Sequence, residues 1–313
     1  MRKDSIATTD IITLHFNKPQ LTAHCIEKCL DISDEWRHMW IVDNGSDEPF
    51  VYTGPHAERI TVLRSAENLG FSGGVNLGLQ KVGAGPAQAA LLLNNDAHPE
   101  RGYISACESI AAAQPDLWGC AGIGCAPESE GTGSPVPIEA PRPMMRVAPY
   151  FPLEWDPNCD YPTKPFQVDW VTGAAMWISR AAWETLGPWD ESFFLYCEDV
   201  DYCYRIRQAG GQVWCLPTIR YFHIRNASSD PHLQLGTYYA FRGFFRFFQK
   251  HNRMRLFGLF RWAFSTNAHV DRYSLYLRRA AFWDWICGQM GPVRPKRLQK
   301  LQRVFAKYSV QKD

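Results

Sequence analysis

The feature that most constrains this chain is a regular alternation, in its N-terminal third, of short apolar runs with segments of helical spacing. Asp10–His15 is a β-branched run, Lys18–Leu30 has helical periodicity, and Met39–Val42 is apolar again. Such an alternation is typical of a βαβ unit. It therefore predicts an α/β fold.

The next segments continue the pattern and add polar loops. Ile60–Arg64 and Ala89–Leu93 are candidate strands, and Gly74–Val82 is a candidate helix between them. Two of the apolar runs end in polar loops, at Asp43–Ser46 and at Asn94–Asp96. Ligands of open α/β sheets bind beyond the carboxyl ends of the strands, so we expect these loops to share one site.

A long irregular stretch separates this region from the rest of the core. Residues 126–165 are rich in Pro, Gly and Ser, which predicts a long insertion. Beyond it, Val171–Ile178 is a candidate strand and Glu198–Gln208 a candidate helix closed by Gly210–Gly211.

Charge is divided unevenly along the chain. The total is 33 Lys and Arg against 32 Asp and Glu, yet Phe241–Asp313 alone carries 16 basic and 3 acidic residues. Aromatic residues alternate with Arg at near-helical spacing from Tyr238 onward. We therefore expect a main α/β domain at residues 1–235 and a basic, aromatic helical extension at residues 236–313.

Cysteine usage and hydropathy bear on the cellular location. The ten cysteines include no C-x-x-C pair, and Cys25/Cys29 and Cys120/Cys125 lack the partners of a zinc site, so we expect reduced, structural thiols. The first residues contain no long apolar core and no later apolar run reaches the length of a membrane span. We expect no signal peptide, no transmembrane helix and a cytoplasmic location.

Carboxylates that directly follow apolar runs are the candidate functional groups. Asp96 follows Ala89–Leu93, and Glu198 and Asp199 follow Phe193–Tyr196. Burying such groups is costly unless a cation or ligand compensates them. Asp96 suits Mg²⁺ or Mn²⁺, which take oxygen ligands and bridge diphosphate oxygens. The alternatives are a turn residue for Asp96 and favourable helix-dipole placement for Glu198 and Asp199.

Five motifs occur in an order that is similar to family 2 glycosyltransferases, and the resemblance covers roughly residues 8–225. They are Val42–Asp47, Asn68–Gly78, Leu92–Asp96, Thr172–Ala174, and Phe194–Asp201 with Arg205. The resemblance implies the GT-A type of α/β fold, a Rossmann-like nucleotide-diphospho-sugar transferase fold with a mixed central sheet flanked by helices. The glycine run lacks a clean G-x-G-x-x-G after a strand, so a dinucleotide loop fits poorly.

Carried onto this sequence, the resemblance implies a donor site and a metal site. The donor-binding residues would be Asp43, Asn44, Asn68, Gly70, Gly73, Gly74, Asn76, Asn95 and Asp96. The glycines would let backbone approach the donor, the alternative being a tight turn into a helix. Asp96 is the only acidic residue where the family has a D-x-D motif, as in its rhamnosyltransferase-like branch. His223 would be the second metal ligand, the alternative being a hydrogen-bonded core histidine.

For the chemistry, Asp199 is the expected general base, because an inverting transfer needs a carboxylate to take the proton of the acceptor hydroxyl. Glu198 beside it would raise the pKa of Asp199 or contact the acceptor, together with Thr172 and Gly173. Arg205 would pair with the acids or contact a phosphate, and we favour the ion pair.

These features predict an inverting glycosyltransferase that moves a sugar, with rhamnose expected, from a dTDP- or UDP-sugar to a glycan or lipid-linked acceptor in cell-surface polysaccharide or lipopolysaccharide synthesis. One alternative is a nucleotidyltransferase of the same architecture, but His15–Pro19 is not the Gly-rich basic loop that it needs. Another is a non-catalytic nucleotide- or carbohydrate-binding protein, against which Asp43, Asp96 and Asp199 argue.

The cationic, aromatic extension suits three partners: RNA, an anionic membrane surface, or the main domain itself. RNA lacks support because no RNP or KH motif is present. Helix packing accounts for the aromatic residues. The number of cations favours peripheral attachment to the inner face of the cytoplasmic membrane.

Overall fold

A computed structural model of the chain describes residues 7–126, 137–139, 161–224, 235–251, 255–266 and 271–309. Ten strands within these ranges form one mixed sheet. They are β1 (Thr9–His15), β2 (Met39–Asn44), β3 (Ile60–Ser65), β4 (Ala89–Asn94), β5 (Ala97–Pro99), β6 (Leu117–Cys125), β7 (Pro137–Glu139), β8 (Phe166–Gln167), β9 (Ala175–Ser179) and β10 (Gln212–His223). Their order is β3-β2-β1-β4-β9-β6-β10-β5, with β7 paired to β6 and β8 to β10.

The strands β3, β2, β1 and β4 are parallel neighbours, so the loops after β2 and β4 leave the same edge of the sheet on either side of β1. The strand β9 is antiparallel to both β4 and β6, whereas β10 is parallel to β6 and antiparallel to β5. The mixed α/β sheet predicted from the sequence is confirmed.

Helices cover both faces of this sheet. They are α1 (Pro19–Leu30), α2 (Gly70–Ala84), α3 (Tyr103–Ala113), α4 (Arg180–Leu186) and α5 (Glu198–Gln208) in the main domain, followed by α6 (Leu235–Lys250), α7 (Leu256–Phe264), α8 (Arg272–Ile286) and α9 (Pro295–Ser309). Ile11 and Leu91 share a core with α1 and α3, whereas their neighbours Ile12 and Leu92 share a core with α2, α4 and α5. Alternate residues of the buried strands thus point to opposite helical layers.

Some predicted boundaries were wrong. The strand expected at Val171–Ile178 begins only at Ala175, because the amide of Gly173 donates to Asp199 and not to a neighbouring strand. Helix α2 begins at Gly70, one turn before the predicted start. The pattern analysis also did not identify β6 as a strand.

The predicted insertion at residues 126–165 lies mostly outside the described residues. Its described part includes β7, which pairs antiparallel with β6 and so adds to the sheet.

The C-terminal extension is helical, as predicted, and the aromatic side of α6 is buried. Tyr238, Phe241 and Phe245 are inaccessible to solvent and pack in one cluster with residues of α7, α8 and α9. The packing interpretation therefore accounts for the aromatic residues of α6.

Several cations of the extension are bound internally, which corrects the expectation that they are exposed. Arg242 is buried and donates to the backbone carbonyls of Gln289, Met290 and Gly291. Arg297 pairs with the carboxylate of Asp284.

Two further expectations concern the membrane and the thiols. None of the described helices combines the length and the apolar character that crossing a bilayer requires. The described cysteines are free, and all except Cys287 are buried.

Candidate active site

The first predicted donor residue, Asp43 at the end of β2, is completely buried and its carboxylate is already bound by protein groups. It accepts hydrogen bonds from the amides of Ser46 (3.1 Å) and Phe50 (3.0 Å) and pairs with Arg64 (2.6 Å). Burial alone would raise the pKa of Asp43, but these hydrogen bonds and the Arg64 charge together hold it below its ordinary value. Asp43 thus shapes the loop after β2, and its contact with a nucleotide stays a prediction.

Asn44 fastens this loop to the start of α2. Its side chain donates to the carbonyl of Gly70 (2.9 Å) and accepts from the amide of Leu69 (3.0 Å). Asn68 in turn accepts from the amide of Gly70 (2.9 Å). These amide side chains join two predicted donor loops by internal hydrogen bonds.

The glycines of α2 have a packing reason that differs from the one expected. Gly70 has a positive φ of 73°, and a Cβ there would collide with the backbone of Phe194. A Cβ at Gly73 would lie 2.7 Å from Leu69, and one at Gly74 would lie 2.9 Å from Leu14. The missing side chains make room for protein atoms, and close approach of a donor to these glycines stays a prediction.

Asn76, also expected to bind the donor, connects α2 to the loop before α5. It accepts from the amide of Trp189 (2.8 Å) and donates to the carbonyl of the same residue (3.0 Å) and to Glu191 (2.9 Å). Its side chain therefore holds the two segments together.

Asn95, after β4, belongs to a buried polar chain. It donates to the hydroxyl of Thr22 (3.0 Å), which lies 2.7 Å from Nδ1 of His15. Burial lowers the pKa of His15, with the charge of Asp43 opposing that shift.

The structure brings the two predicted metal ligands together. Asp96 lies in the turn between β4 and β5, and β5 pairs with the end of β10 so that Ala97 faces His223. Oδ1 of Asp96 is 3.3 Å from Nε2 of His223, and both side chains are largely buried.

A carboxylate oxygen and an imidazole nitrogen this close fit a divalent cation such as Mg²⁺ or Mn²⁺. Among the described residues no group of three His, Cys, Asp or Glu side chains is placed to hold a metal. Two protein ligands leave positions for diphosphate oxygens, which is the usual way that Mg²⁺ is held beside a nucleotide.

The predicted base, Asp199, is anchored at the start of α5. Its Oδ2 accepts from the amide of Gly173 (3.0 Å), and the next residue, Ala174, accepts from the amide of Asn94 (2.9 Å). Thr172 accepts from the amide of Ala174 (3.2 Å), which fixes the shape of this loop. Backbone hydrogen bonds thus connect the end of β4, just before the predicted metal ligand Asp96, to the predicted base Asp199.

Glu198 and Asp199 are adjacent carboxyl groups in different environments. Glu198 is buried, and its Oε2 has no hydrogen-bond partner within the described part of the chain. Burial and, second, the charge of Asp199 raise the pKa of Glu198 well above its ordinary value. The effect of Glu198 on the pKa of Asp199 stays a prediction.

Strained backbone precedes this pair, and sequence analysis did not find it. Tyr196 and Cys197 have positive φ values of 67° and 69°, which are costly for residues with side chains. Helix α6 packs closely against these two residues. A Cβ on Gly243 would lie 2.5 Å from the carbonyl oxygen of Tyr196, and a Cβ on Gly236 would lie 2.9 Å from the hydroxyl of Tyr196. The sequence feature that could have indicated this close packing is the presence of Gly236 and Gly243 in the aromatic helix α6.

A second contact between α5 and α6 is ionic. Asp201 is almost inaccessible and binds Arg205 (3.0 Å), Lys250 (2.8 Å) and His251 (2.9 Å). The predicted ion pair of Arg205 is confirmed. Burial would raise the pKa of Asp201, but the hydrogen bonds and cations lower it below its ordinary value.

Comparison with known proteins agrees with this geometry. Residues 10–107 match the family model described as glycosyl transferase family 2. The hexosyltransferase Agl10 of low-salt glycan biosynthesis in Haloferax volcanii is 29% identical over 175 residues, which cover 54% of this chain and 52% of Agl10. The rhamnosyltransferase WbbL of Escherichia coli is 34% identical over 64 residues, which cover 20% of this chain and 24% of WbbL. The chain thus spans about half the length of the first of these relatives.

Solved structures share the fold. GalNAc-T7, crystallised with UDP, GalNAc and Mn²⁺, has a TM-score of 0.60 at 12% identity. The aligned part covers 91% of this chain and 56% of the GalNAc-T7 chain. The mannosyltransferase PcManGT from Pyrobaculum calidifontis, in complex with GDP-Man and Mn²⁺, has a TM-score of 0.54 at 14% identity. The aligned part covers 98% of this chain and 81% of the PcManGT chain. Residues 10–107, from β1 into α3, are therefore similar to the family 2 glycosyltransferases, and the likeness to these solved structures shows that the chain has the GT-A fold.

Proposed function

We propose that this chain is an inverting glycosyltransferase that moves a sugar from a dTDP- or UDP-sugar to a glycan or lipid-linked glycan. The observation that carries the proposal is the carboxyl pair at the start of α5. A buried carboxyl group with a raised pKa beside a second carboxyl group is typical of an acid–base site. The raised pKa of Glu198 favours its neutral form beside Asp199.

In this proposal Asp199 takes the proton from the acceptor hydroxyl. The amide of Gly173 donates to Oδ2 at 3.0 Å and the amide of Val200 donates to Oδ1 at 2.8 Å, and these hydrogen bonds fix the orientation of the carboxylate. Glu198, in its neutral form, has a proton to donate to an acceptor oxygen. Thr172 and Gly173 form the neighbouring loop and are the proposed acceptor contacts.

On the donor side, Asp96 and His223 are the proposed ligands of Mg²⁺ or Mn²⁺. The bound cation would stabilise the negative charge of the departing nucleoside diphosphate. The loops around Asn44, Asn68 and Asn95 are held rigidly by the hydrogen bonds described above, so they are suited to bind the nucleotide without rearrangement. The presence of Mn²⁺ in both structural relatives supports this assignment.

The donor sugar and the pathway follow from the relatives. WbbL, a rhamnosyltransferase, supports rhamnose as the sugar, and Agl10, a hexosyltransferase of low-salt glycan biosynthesis, supports transfer of a hexose to a glycan. We therefore assign the chain to polysaccharide or lipopolysaccharide assembly in the cytoplasm, at the inner face of the membrane.

Replacing Asp199 tests the proposal. Nucleotide release would be measured from dTDP-rhamnose and from a panel of UDP-sugars, with alkyl glycosides as acceptors and with Mn²⁺ present. Asp199→Asn should lower turnover by about 10²- to 10⁴-fold, the usual contribution of a general base, and should leave calorimetric binding of dTDP or UDP unchanged. Asp34→Asn, an exposed acid paired with Arg101, is the control. Wild-type turnover by Asp199→Asn would refute the assignment of the base.

A further inference from the structure

Helices α7 and α8 present large apolar side chains to solvent, although the rest of the extension buries its own. Phe257 is 70% exposed, Leu256 is 58% exposed and Trp283 is 50% exposed. Phe260 and Ile286 are exposed as well. We call these five residues the α7–α8 face.

The face is continuous. Its five residues line an open groove of about 540 Å³, together with the buried ring of Phe282. Phe260 contacts Phe282 with ring centroids 5.9 Å apart, and Trp283 lies 6.2 Å from Phe264. A connected apolar surface with this many aromatic rings marks an interaction site, because monomeric proteins otherwise expose such side chains singly.

Guanidinium groups border the face. Arg261 follows Phe257 by four residues on α7 and is exposed, and Arg279 precedes Trp283 by four residues on α8, so each lies one helical turn from an exposed ring. Arg255, directly before α7, is exposed too. Within the described parts of residues 255–309 the acids are Asp271 and Asp284, and Asp284 is paired with Arg297.

A basic helix continues this character. In α9, residues Lys296, Lys300, Arg303 and Lys307 are exposed and share one side at spacings of four, three and four residues. Helix α9 contains no acidic residue.

An apolar face bordered by cations fits some binding partners and not others. In a symmetric dimer the face would meet its own copy, and the bordering Arg side chains would be brought together with no acid between them. An anionic bilayer satisfies both features, because Trp, Phe, Leu and Ile enter the interface and cations meet the lipid phosphates. We propose that the α7–α8 face inserts into an anionic membrane surface and docks the chain there peripherally.

This surface differs from the one expected from the sequence, since the aromatic residues of α6 are buried. The proposal does not depend on the proposed transferase activity. Helix α6 contacts the strained backbone of Tyr196 and Cys197 and also packs on α8, where Phe245 stacks on Trp285 at 5.5 Å. The same helical unit therefore connects the membrane face to the candidate active site.

Vesicle flotation of the full chain tests the proposal. The vesicles would contain phosphatidylcholine alone or with 30 mol % phosphatidylglycerol. We expect the wild type to float with the anionic vesicles only, and the double variant Phe257→Ser/Trp283→Ser to bind them at least about tenfold more weakly. Arg261→Gln/Arg279→Gln should also weaken binding and make the remaining binding less sensitive to salt, because fewer cations are left to be screened. Val51→Ser, another highly exposed apolar residue outside the face, is the control and should bind like the wild type.

Calorimetric binding of UDP and dTDP with Mn²⁺, together with thermal melting, would show that each variant is folded and would separate this proposal from the proposed function. Absence of wild-type flotation, equal flotation of the Phe257→Ser/Trp283→Ser variant, or flotation without dependence on phosphatidylglycerol would overturn it. Light scattering that shows a wild-type dimer, dissociated by Phe257→Ser and unable to bind vesicles, would assign the face to a second copy.

Discussion

The contact between α6 and the backbone before Asp199 allows a quantitative prediction for Gly243→Ala. A Cβ at this position would lie 2.5 Å from the carbonyl oxygen of Tyr196 and 3.0 Å from Cβ of Cys197. The first distance is roughly 1 Å shorter than an unstrained contact. Either α6 moves away or the Tyr196–Cys197 backbone is displaced by a comparable amount.

The two outcomes differ in energy and in activity. Overpacking costs about 1–3 kcal/mol, and replacing Gly by Ala within a helix returns roughly 0.5–1 kcal/mol, so the loss of stability should be at most about 2.5 kcal/mol. A displacement of about 1 Å carried to Asp199, two residues after Cys197, should lower kcat by about 10²-fold. Affinity for the nucleotide should remain, because the donor loops lie on β2, β4 and α2.

The assay is steady-state nucleotide release with the nucleotide sugar that the wild type uses, together with urea unfolding. Gly236→Ala is the matched control in the same helix, since its Cβ would meet the hydroxyl (2.9 Å) and ring atoms at the far end of the Tyr196 side chain and not the backbone of that residue. The reasoning fails if Gly243→Ala is folded and retains wild-type kcat, or if Gly236→Ala loses as much.

Three further predictions concern stability, pH and metal. Because the pKa of Glu198 is raised in the folded chain, the folded state binds more protons above the unfolded value of 4.5, and wild-type stability falls as pH rises through the folded pKa. Glu198→Gln cannot ionise, so its Tm should rise relative to the wild type over that range. Asp201→Ala should lower the free energy of unfolding by about 3–5 kcal/mol, because it leaves the largely buried ring of His251 without its carboxylate and Lys250 with Asp190 alone. Asp96→Ala should weaken Mn²⁺-dependent binding of dTDP or UDP by at least about tenfold.

Each of these has a result that would contradict it. A pH-independent Tm difference for Glu198→Gln would show that the group is not protonated by burial. A urea midpoint of Asp201→Ala equal to that of the wild type would mean that the ionic contact between α5 and α6 contributes little. Binding of dTDP by Asp96→Ala that still responds fully to Mn²⁺ would place the metal elsewhere.

The sequence predicted the first four strands well because each is a short apolar run, and the runs of β2 and β4 end in polar loops. It did not predict β6, since the run Leu117–Cys125 is rich in glycine and has no alternation. The structure explains one of these glycines. A Cβ on Gly122 would collide with the backbone of Ile219 in the paired strand β10, so the close approach of the two strands excludes a side chain there. Such a requirement depends on tertiary contacts and leaves no local pattern.

For the site, the resemblance to a known family made Asp96, His223 and Asp199 the candidate metal ligands and base. In the structure, backbone hydrogen bonds and strand pairing connect the segments that carry them. Sequence reasoning could not distinguish side chains that face a substrate from those that bind protein. Asn76 is the example, because both polar atoms of its amide are used by Trp189 and Glu191. The cations of α6 are another, because their acidic partners lie about 50 residues away along the chain.

The pairing of β5 with β10 has a consequence for which sequence changes this protein tolerates. His223 faces Ala97 only because Phe222 faces His98 and Tyr221 faces Pro99. A slip of one residue would point Phe222 or Ile224 toward Asp96 and turn the imidazole to the opposite side of the sheet. The irregular register between Cys215 and Arg220 is the place where β10 absorbs a change in length relative to β6. Insertions and deletions should therefore be accepted before Arg220 and rejected in the last four residues of the strand.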